Sequence, residues 1–207
     1  MTIRSISDVF TDFQAGLSGS DVSIANILDA LHERGFGFLL LIFAAPMALP
    51  IPVPPGINIL LASPLIILTA QQAIGRRTIW MPEAIKKKNL SREKFDSTLN
   101  AVIPWMKKLE VVFRPRFSFA TQGIFSNIIG LMGLIMALTV CIPLPLTNTV
   151  PSLGIALMAI GVIMRDGVAV LGGAIIGTLW VCMLAYAVLF FGAEGIDMVK
   201  DTIKSFM

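Results

Sequence analysis

Charge is what this 207-residue sequence lacks most. Only 14% of its residues are Asp, Glu, Lys or Arg, where soluble domains carry about a quarter. Hydrophobic residues make up 56%, and the mean hydropathy is +0.83. That balance excludes an ordinary water-soluble globule and implies a polytopic, all-α membrane protein. Cysteine is nearly absent too. Cys141 and Cys182 lie inside apolar runs, which argues against a disulfide framework or a zinc site. The one histidine, His32, falls on an amphipathic stretch and reads as an interfacial side chain. No apolar segment holds paired carboxylates, and no phosphate-binding glycine loop follows a strand. Glycosyl transfer usually needs acidic residues at a sugar-nucleotide site, and none is offered. The expectation is a protein that is not an enzyme, with no cofactor and no metal. The opening "MTIRSISDVFTDFQAG" has no apolar h-region, so no cleaved signal peptide is expected.

The few charges are unevenly placed. Residues 1–34 carry Arg4 and Arg34 against Asp8, Asp12, Asp21, Asp29 and Glu33, a net of −3. Residues 76–122 carry eleven Lys/Arg against four acids, a net of +7. Basic loops stay cytoplasmic, so this loop is expected there. Its cations flank apolar spans without aromatic interleaving, which speaks against nucleic acid as a partner.

Proline is plentiful in an unexpected place. "LPIPVPPGIN" (Leu49–Asn58) interrupts one apolar stretch and "CIPLPLTNTVPS" (Cys141–Ser152) another. Proline removes a backbone donor and clashes with the preceding turn, and hydrocarbon offers no water to satisfy the freed groups. The apolar segments run over about 36–50, 57–74, 126–142, 150–164 and 168–192. Only the last is comfortably long enough to span a bilayer, which takes about 20 residues. The first four form two pairs, each split by a proline-rich break. Pro50-Ile51-Pro52 aligns with Pro143-Leu144-Pro145, Asn58 falls near Asn148, and both copies end in arginine. The expected architecture is therefore two parallel helix–break–helix hairpin repeats (36–75 and 126–165), a final transmembrane helix (168–192) and amphipathic interfacial helices, all in one membrane domain. One amphipathic helix is expected over Ser20–Gly35, behind a loose tail, with Ser20 as cap and Gly35 as stop. The basic loop, 76–125, should hold another after Ser91, kinked or restarted at Pro104, with a stripe of Phe95, Leu99, Val102, Met106, Leu109 and Phe113. Trp80 and Trp105 are placed as interfacial anchors.

Two groups of polar residues are candidates for function. Asn58, Thr147, Asn148, Thr149 and Ser152 cluster at the breaks. They either satisfy backbone groups freed by proline or form a small polar site at the hairpin junction, as transporters often build. Glu33, Arg34, Arg76, Arg77, Arg165 and Asp166 mark the cytoplasmic ends of the hairpins. Arg76 and Arg77, with Lys86, Lys87 and Lys88, either set topology and attract anionic lipid or recognise a phosphate-bearing lipid, to which a guanidinium's planar fork is suited. The glycines Gly172, Gly173 and Gly177 have the spacing of close helix contact.

Four stretches in order carry a family resemblance: "ERGFG" (Glu33–Gly37), "GRRTIWMP" (Gly75–Pro82), "PWMKKLEVVFRPR" (Pro104–Arg116) and "PLTNTVPSLGIALMAIGVIMRDG" (Pro145–Gly167). Together they resemble the ExoD family of bacterial membrane proteins, named for exopolysaccharide synthesis. The chain departs from that pattern at Thr78-Ile79, where arginine or proline is common, and at Met164, where glutamate is expected. The resemblance implies an inner-membrane protein linked to exopolysaccharide production and supplies no catalytic residues.

Three functions fit this reading: transport of an ion, small solute or lipid head group through the hairpin junction; a non-transporting accessory role in polysaccharide assembly; and, last, chemistry on lipid-linked sugars. Membrane lipids, polysaccharide-assembly proteins and lipid-linked intermediates are the expected partners. A homodimer would shield the broken segments. The hairpins are either re-entrant or cross a locally thin bilayer with each arm; both return the chain to the side it left, which puts the N-terminus in the cytoplasm and, after the last helix, the C-terminus in the periplasm.

Overall fold

The computed structural model describes residues 8, 11, 12, 14, 21–23, 31, 34–49, 57–83, 89–141 and 148–205, with backbone alone after Phe190. Among the described residues the fold is all-α apart from one three-residue ladder. In chain order the elements are β1 (Asp21–Ser23), α1 (Arg34–Ala48), α2 (Ile57–Ala73), β2 (Asn89–Ser91), α3 (Arg92–Val112), a 3-10 turn (Ser118–Thr121), α4 (Ile124–Val140), α5 (Thr149–Met164) and α6 (Gly167–Ser205).

Helices α1, α2, α4 and α5 form a four-helix ring in which α1 packs on α5, α5 on α4, α4 on α2 and α2 on α1, while α6 lies against α5 and α4. Glycine makes the tightest approaches. A β-carbon at Gly37 would sit 2.8 Å from the Ala159 carbonyl oxygen, and one at Gly130 would collide with the backbone of Gln72 and Ala73. Gly173 meets the Gly154 carbonyl in the same way. Backbones this close gain dispersion contacts that larger residues would forbid. These contacts also fix direction. The starts of α1 and α4 lie level with the ends of α5 and α2, so both helix pairs leave from one end of the bundle and turn at the other.

The two pairs are equivalent in detail. Aligning the proline motifs sets Gly37 opposite Gly130 and Ala44 opposite Ala137, all four buried. Helices α2 and α5 end in the same cap. Gly75 donates to Gln72 O and Arg76 to Gln71 O at 3.0 and 3.1 Å; Arg165 donates to Val162 O and Asp166 to Gly161 O at 3.4 and 2.8 Å. Each is a Schellman motif, which needs a left-handed residue: Gly75 at φ +79° and Arg165 at φ +55°. Beyond the caps the pairs diverge. Gly161 leaves room for Val170 of α6. The equivalent residue, Gln71, uses its amide to hold the backbone of Trp80, accepting from its N–H at 2.6 Å and donating to its carbonyl at 3.2 Å.

The amphipathic helix expected over Ser20–Gly35 is corrected at both ends. Residues 21–23 pair with 89–91 as an antiparallel ladder, and Gly35 is buried inside α1 rather than ending a helix. Ser91 stands at the N-cap of α3, but its side chain makes no capping bond. Pro104 neither breaks nor restarts α3, which runs unbroken through 21 residues. The stripe of α3 is used: Phe95, Leu99 and Met106 are buried with Leu31, Ile163 and Met164. Trp80 and Trp105 are exposed, and Lys108 lies over the Trp105 ring at 5.1 Å. The breaks themselves, 50–56 and 142–147, lie outside the described residues.

Large apolar side chains also cover the outside. Ile42, Leu60, Ile67, Ile128, Leu131, Ile135, Leu171, Ile175 and Leu179 are all exposed, an apolar surface of the kind that marks a membrane or partner. Gly167–Phe190 of α6 is long and apolar enough to cross a membrane, while the other four apolar helices have 15 to 17 residues.

Candidate functional site

Helix α5 opens at Asn148, whose backbone is αR and whose carbonyl accepts the Ser152 N–H at 3.1 Å. That spacing of four puts the two side chains one turn apart on one face. Both are buried, Asn148 at 6% and Ser152 at 0% exposure. Among the described residues, both ends of the Asn148 amide and the Ser152 hydroxyl lack a hydrogen-bond partner. An unsatisfied buried polar group costs about 1–3 kcal/mol, so this pair is expensive as it stands and is ready to receive donors and acceptors. The helix terminus adds partial positive charge from its free N–H groups. Of the other residues expected here, Thr149 is half-buried as the first residue of α5, and Asn58 is half-buried in the first turn of α2. Asn58 and Asn148 begin α2 and α5, which lie diagonally across the ring rather than packed along their lengths. Thr147 lies outside the described residues.

The opposite end of the bundle gathers charge. Arg34 begins α1 and is 9% exposed. It lies near Arg165, which repels it, and Glu110 of α3, which attracts it. Asp166 is 3% exposed and accepts the Val168 N–H at 3.0 Å, placing a carboxylate at the positive end of α6 where the dipole favours it. The Gly167 N–H donates to the Arg116 carbonyl at 2.6 Å. Three of the four family-like stretches therefore meet here. Arg76 and Arg77 are exposed. Arg76 edges a shallow groove of about 370 Å³ with Ile66, Ile67, Ile74 and Trp80. Glu33 lies outside the described residues.

Sequence reasoning passed over two participants. Gln72 is 1% exposed; its amide nitrogen donates to Ser126 Oγ at 3.2 Å, and its Oε1 has no partner. Nothing in its spacing pairs it with Ser126, 54 positions away. Glu110 reads as one acid in a basic loop until α3 folds under the bundle. Between the two polar ends stand Leu65, Met136, Ile155 and Met158, among the largest fully buried side chains. They belong to one continuous apolar core, in which Met136 lies against Gly154 of α5 and Gly177 of α6. Among the described residues, no group of three His, Cys, Asp or Glu could hold a metal ion.

Comparison with known proteins agrees with the motifs. The chain is 33% identical to the uncharacterized protein slr1875 of Synechocystis over 90% of its own length and 89% of that protein's. It is 30% identical to Protein ExoD of Rhizobium meliloti over 94% of its length and 82% of that protein's. No solved structure matches it. Residues 6–186 match the family described as exopolysaccharide synthesis, ExoD; the chain belongs to that family.

Proposed function

We propose that this chain is a multi-pass protein of the bacterial inner membrane that serves exopolysaccharide production by binding, and passing, an ion, small solute or lipid-linked head group where its two helix pairs turn. The carrying observation is the buried Asn148–Ser152 pair with its unpartnered polar atoms. A membrane interior leaves such groups unsatisfied only at a cost, and transporters commonly place ligand sites at interrupted helices. The apolar core that includes Leu65, Ile155 and Met158 separates the turn end from the charged end, which fits an occluded state. Catalysis has no part in it. The N-terminus and basic loop are cytoplasmic and the C-terminus periplasmic.

Reconstitution into liposomes tests this against a non-transporting accessory role. The wild type is expected to give substrate-dependent flux for one member of an ion and head-group panel. Asn148→Ala is expected to unfold within a few degrees of the wild type, since the amide it removes makes no bond, and to lose most of that flux. Asn148→Ala with full flux sinks the site, and a wild type without flux across the whole panel sinks transport.

A further inference from the structure

On the outside of the bundle, beside the charged cluster, the 3-10 turn leaves a groove of about 370 Å³ between itself, α4 and α6. Its walls are apolar and include Phe117, Phe119, Phe125, Ile128, Val170 and Leu171. The phenyl rings run edge to face, Phe117 to Phe119 at 6.1 Å and Phe119 to Phe125 at 5.7 Å. Phe117 and Phe119 are nonetheless exposed, at 62% and 61%. Phe117 also holds a left-handed backbone, φ +50°, which costs a bulky residue about 1–2 kcal/mol. A strained backbone that presents an aromatic ring outward points to something for the ring to meet.

The neighbouring residues say what that is. Residues 107–116 carry Lys107, Lys108, Arg114 and Arg116 against Glu110 alone. Arg114 and Arg116 are exposed, and the Arg116 carbonyl is bonded to Gly167 at the start of α6, so this basic stretch is pinned at the groove's charged end. The groove follows the first two turns of α4 and the start of α6, beginning at the charged end and extending toward the middle of the bundle. Its lining side chains offer no hydrogen-bonding group to a peptide backbone. An apolar slot that begins one residue after a stretch with two exposed arginines is complementary to a hydrocarbon chain with an anionic head. We propose that the groove binds an acyl chain of an anionic phospholipid from the surrounding bilayer, its phosphate held by Arg114 and Arg116. Guanidinium suits phosphate in a bidentate pairing, and the rings supply the apolar contact.

This rests on the membrane reading, and the test separates the two. The full chain, purified in detergent, is titrated with phosphatidylglycerol, phosphatidylcholine and a polyprenyl phosphate while thermal unfolding is followed. At a hundredfold excess over Kd, phosphatidylglycerol should raise Tm by roughly 5 °C or more, and phosphatidylcholine by less than half as much. Arg114→Gln/Arg116→Gln and Phe119→Ala should each at least halve the phosphatidylglycerol shift. As a second readout, native mass spectrometry should find phosphatidylglycerol retained by the wild type and depleted in both variants. Equal shifts from the two phospholipids overturn the proposal, as does an undiminished shift in the double variant. A response to polyprenyl phosphate without one to phosphatidylglycerol also overturns it, assigning the groove to another lipid. A chain that stays in solution without detergent would instead sink the membrane reading.

Discussion

At the residue scale, glycine and asparagine were not equally legible. Asn148 and Ser152 stand out in sequence because polar side chains are rare among their neighbours, and the structure places both in the interior. Asn148 makes no side-chain capping bond to α5, and the backbone of the break, 142–147, lies outside the described residues. Glycine was legible only as a spacing. Of Gly172, Gly173 and Gly177, the second and third meet α5 and Met136, while a β-carbon at Gly172 would meet nothing. Gly130, in no such motif, makes one of the closest approaches of all. Gly130→Ala is expected to destabilise by about 1–3 kcal/mol, the usual cost of overpacking, because backbone rather than a flexible side chain stands in the way. Gly172→Ala should be neutral or stabilise by up to about 1 kcal/mol through helix propensity. Paired thermal unfolding of the two variants in one detergent checks this; equal Tm values would contradict the packing described.

At the element scale, the starts of the five apolar helices and the ends of the first four could be read from the chain to within a few residues, because hydrocarbon-like runs bounded by proline or arginine leave few alternatives; α6 runs on to Ser205, past the expected end at 192. The segment before Gly35 could not be read this way. Its helical periodicity is real, but Asp21–Ser23 finds a partner strand far along the chain in Asn89–Ser91, and a long-range pairing leaves no trace in local spacing. Gly35 misled because glycine serves helix ends and close packing equally well, and here it is buried in α1. Proline misled in α3 for a related reason. It was expected to kink or restart the helix, yet the helix carries Pro104 without interruption. Pro104 is exposed, so its cost is not offset by packing at its own position. Pro104→Ala should restore one backbone donor and stabilise the protein by up to about 3 kcal/mol. Amide hydrogen exchange across α3 should slow in the variant, and unchanged protection would refute this.

At the scale of the whole molecule, the ring of α1, α5, α4 and α2 places both turns at one end and all the charged junctions at the other. Direction follows from this arrangement together with the basic loop. Reporter fusions at residues 87 and 207 are expected to score on opposite sides of the membrane, cytoplasmic and periplasmic, and both on one side would refute the topology. The polar end at Asn148 and the charged end at Arg34 are separated by the length of α5, about 24 Å at 1.5 Å per residue. The repeat told which polar residues shared an end, but no local pattern told which of them meet, because the ends are assembled from both halves of the chain.

The matched halves carry a historical consequence. Each pair of helices makes its larger contacts with the other pair rather than within itself, so one pair alone buries little, whereas two copies could close the same ring by twofold rotation. A duplicated and fused gene is the economical origin of such a chain, with a half-length ancestor that worked as a dimer. The halves should then still recognise one another when unlinked. Residues 1–86 and 87–207, produced as separate polypeptides in the same cell, should co-purify through a tag on either one. Gly130→Ala in the second fragment should weaken that reassembly more than it weakens the intact chain, because association must now supply what covalent linkage supplied.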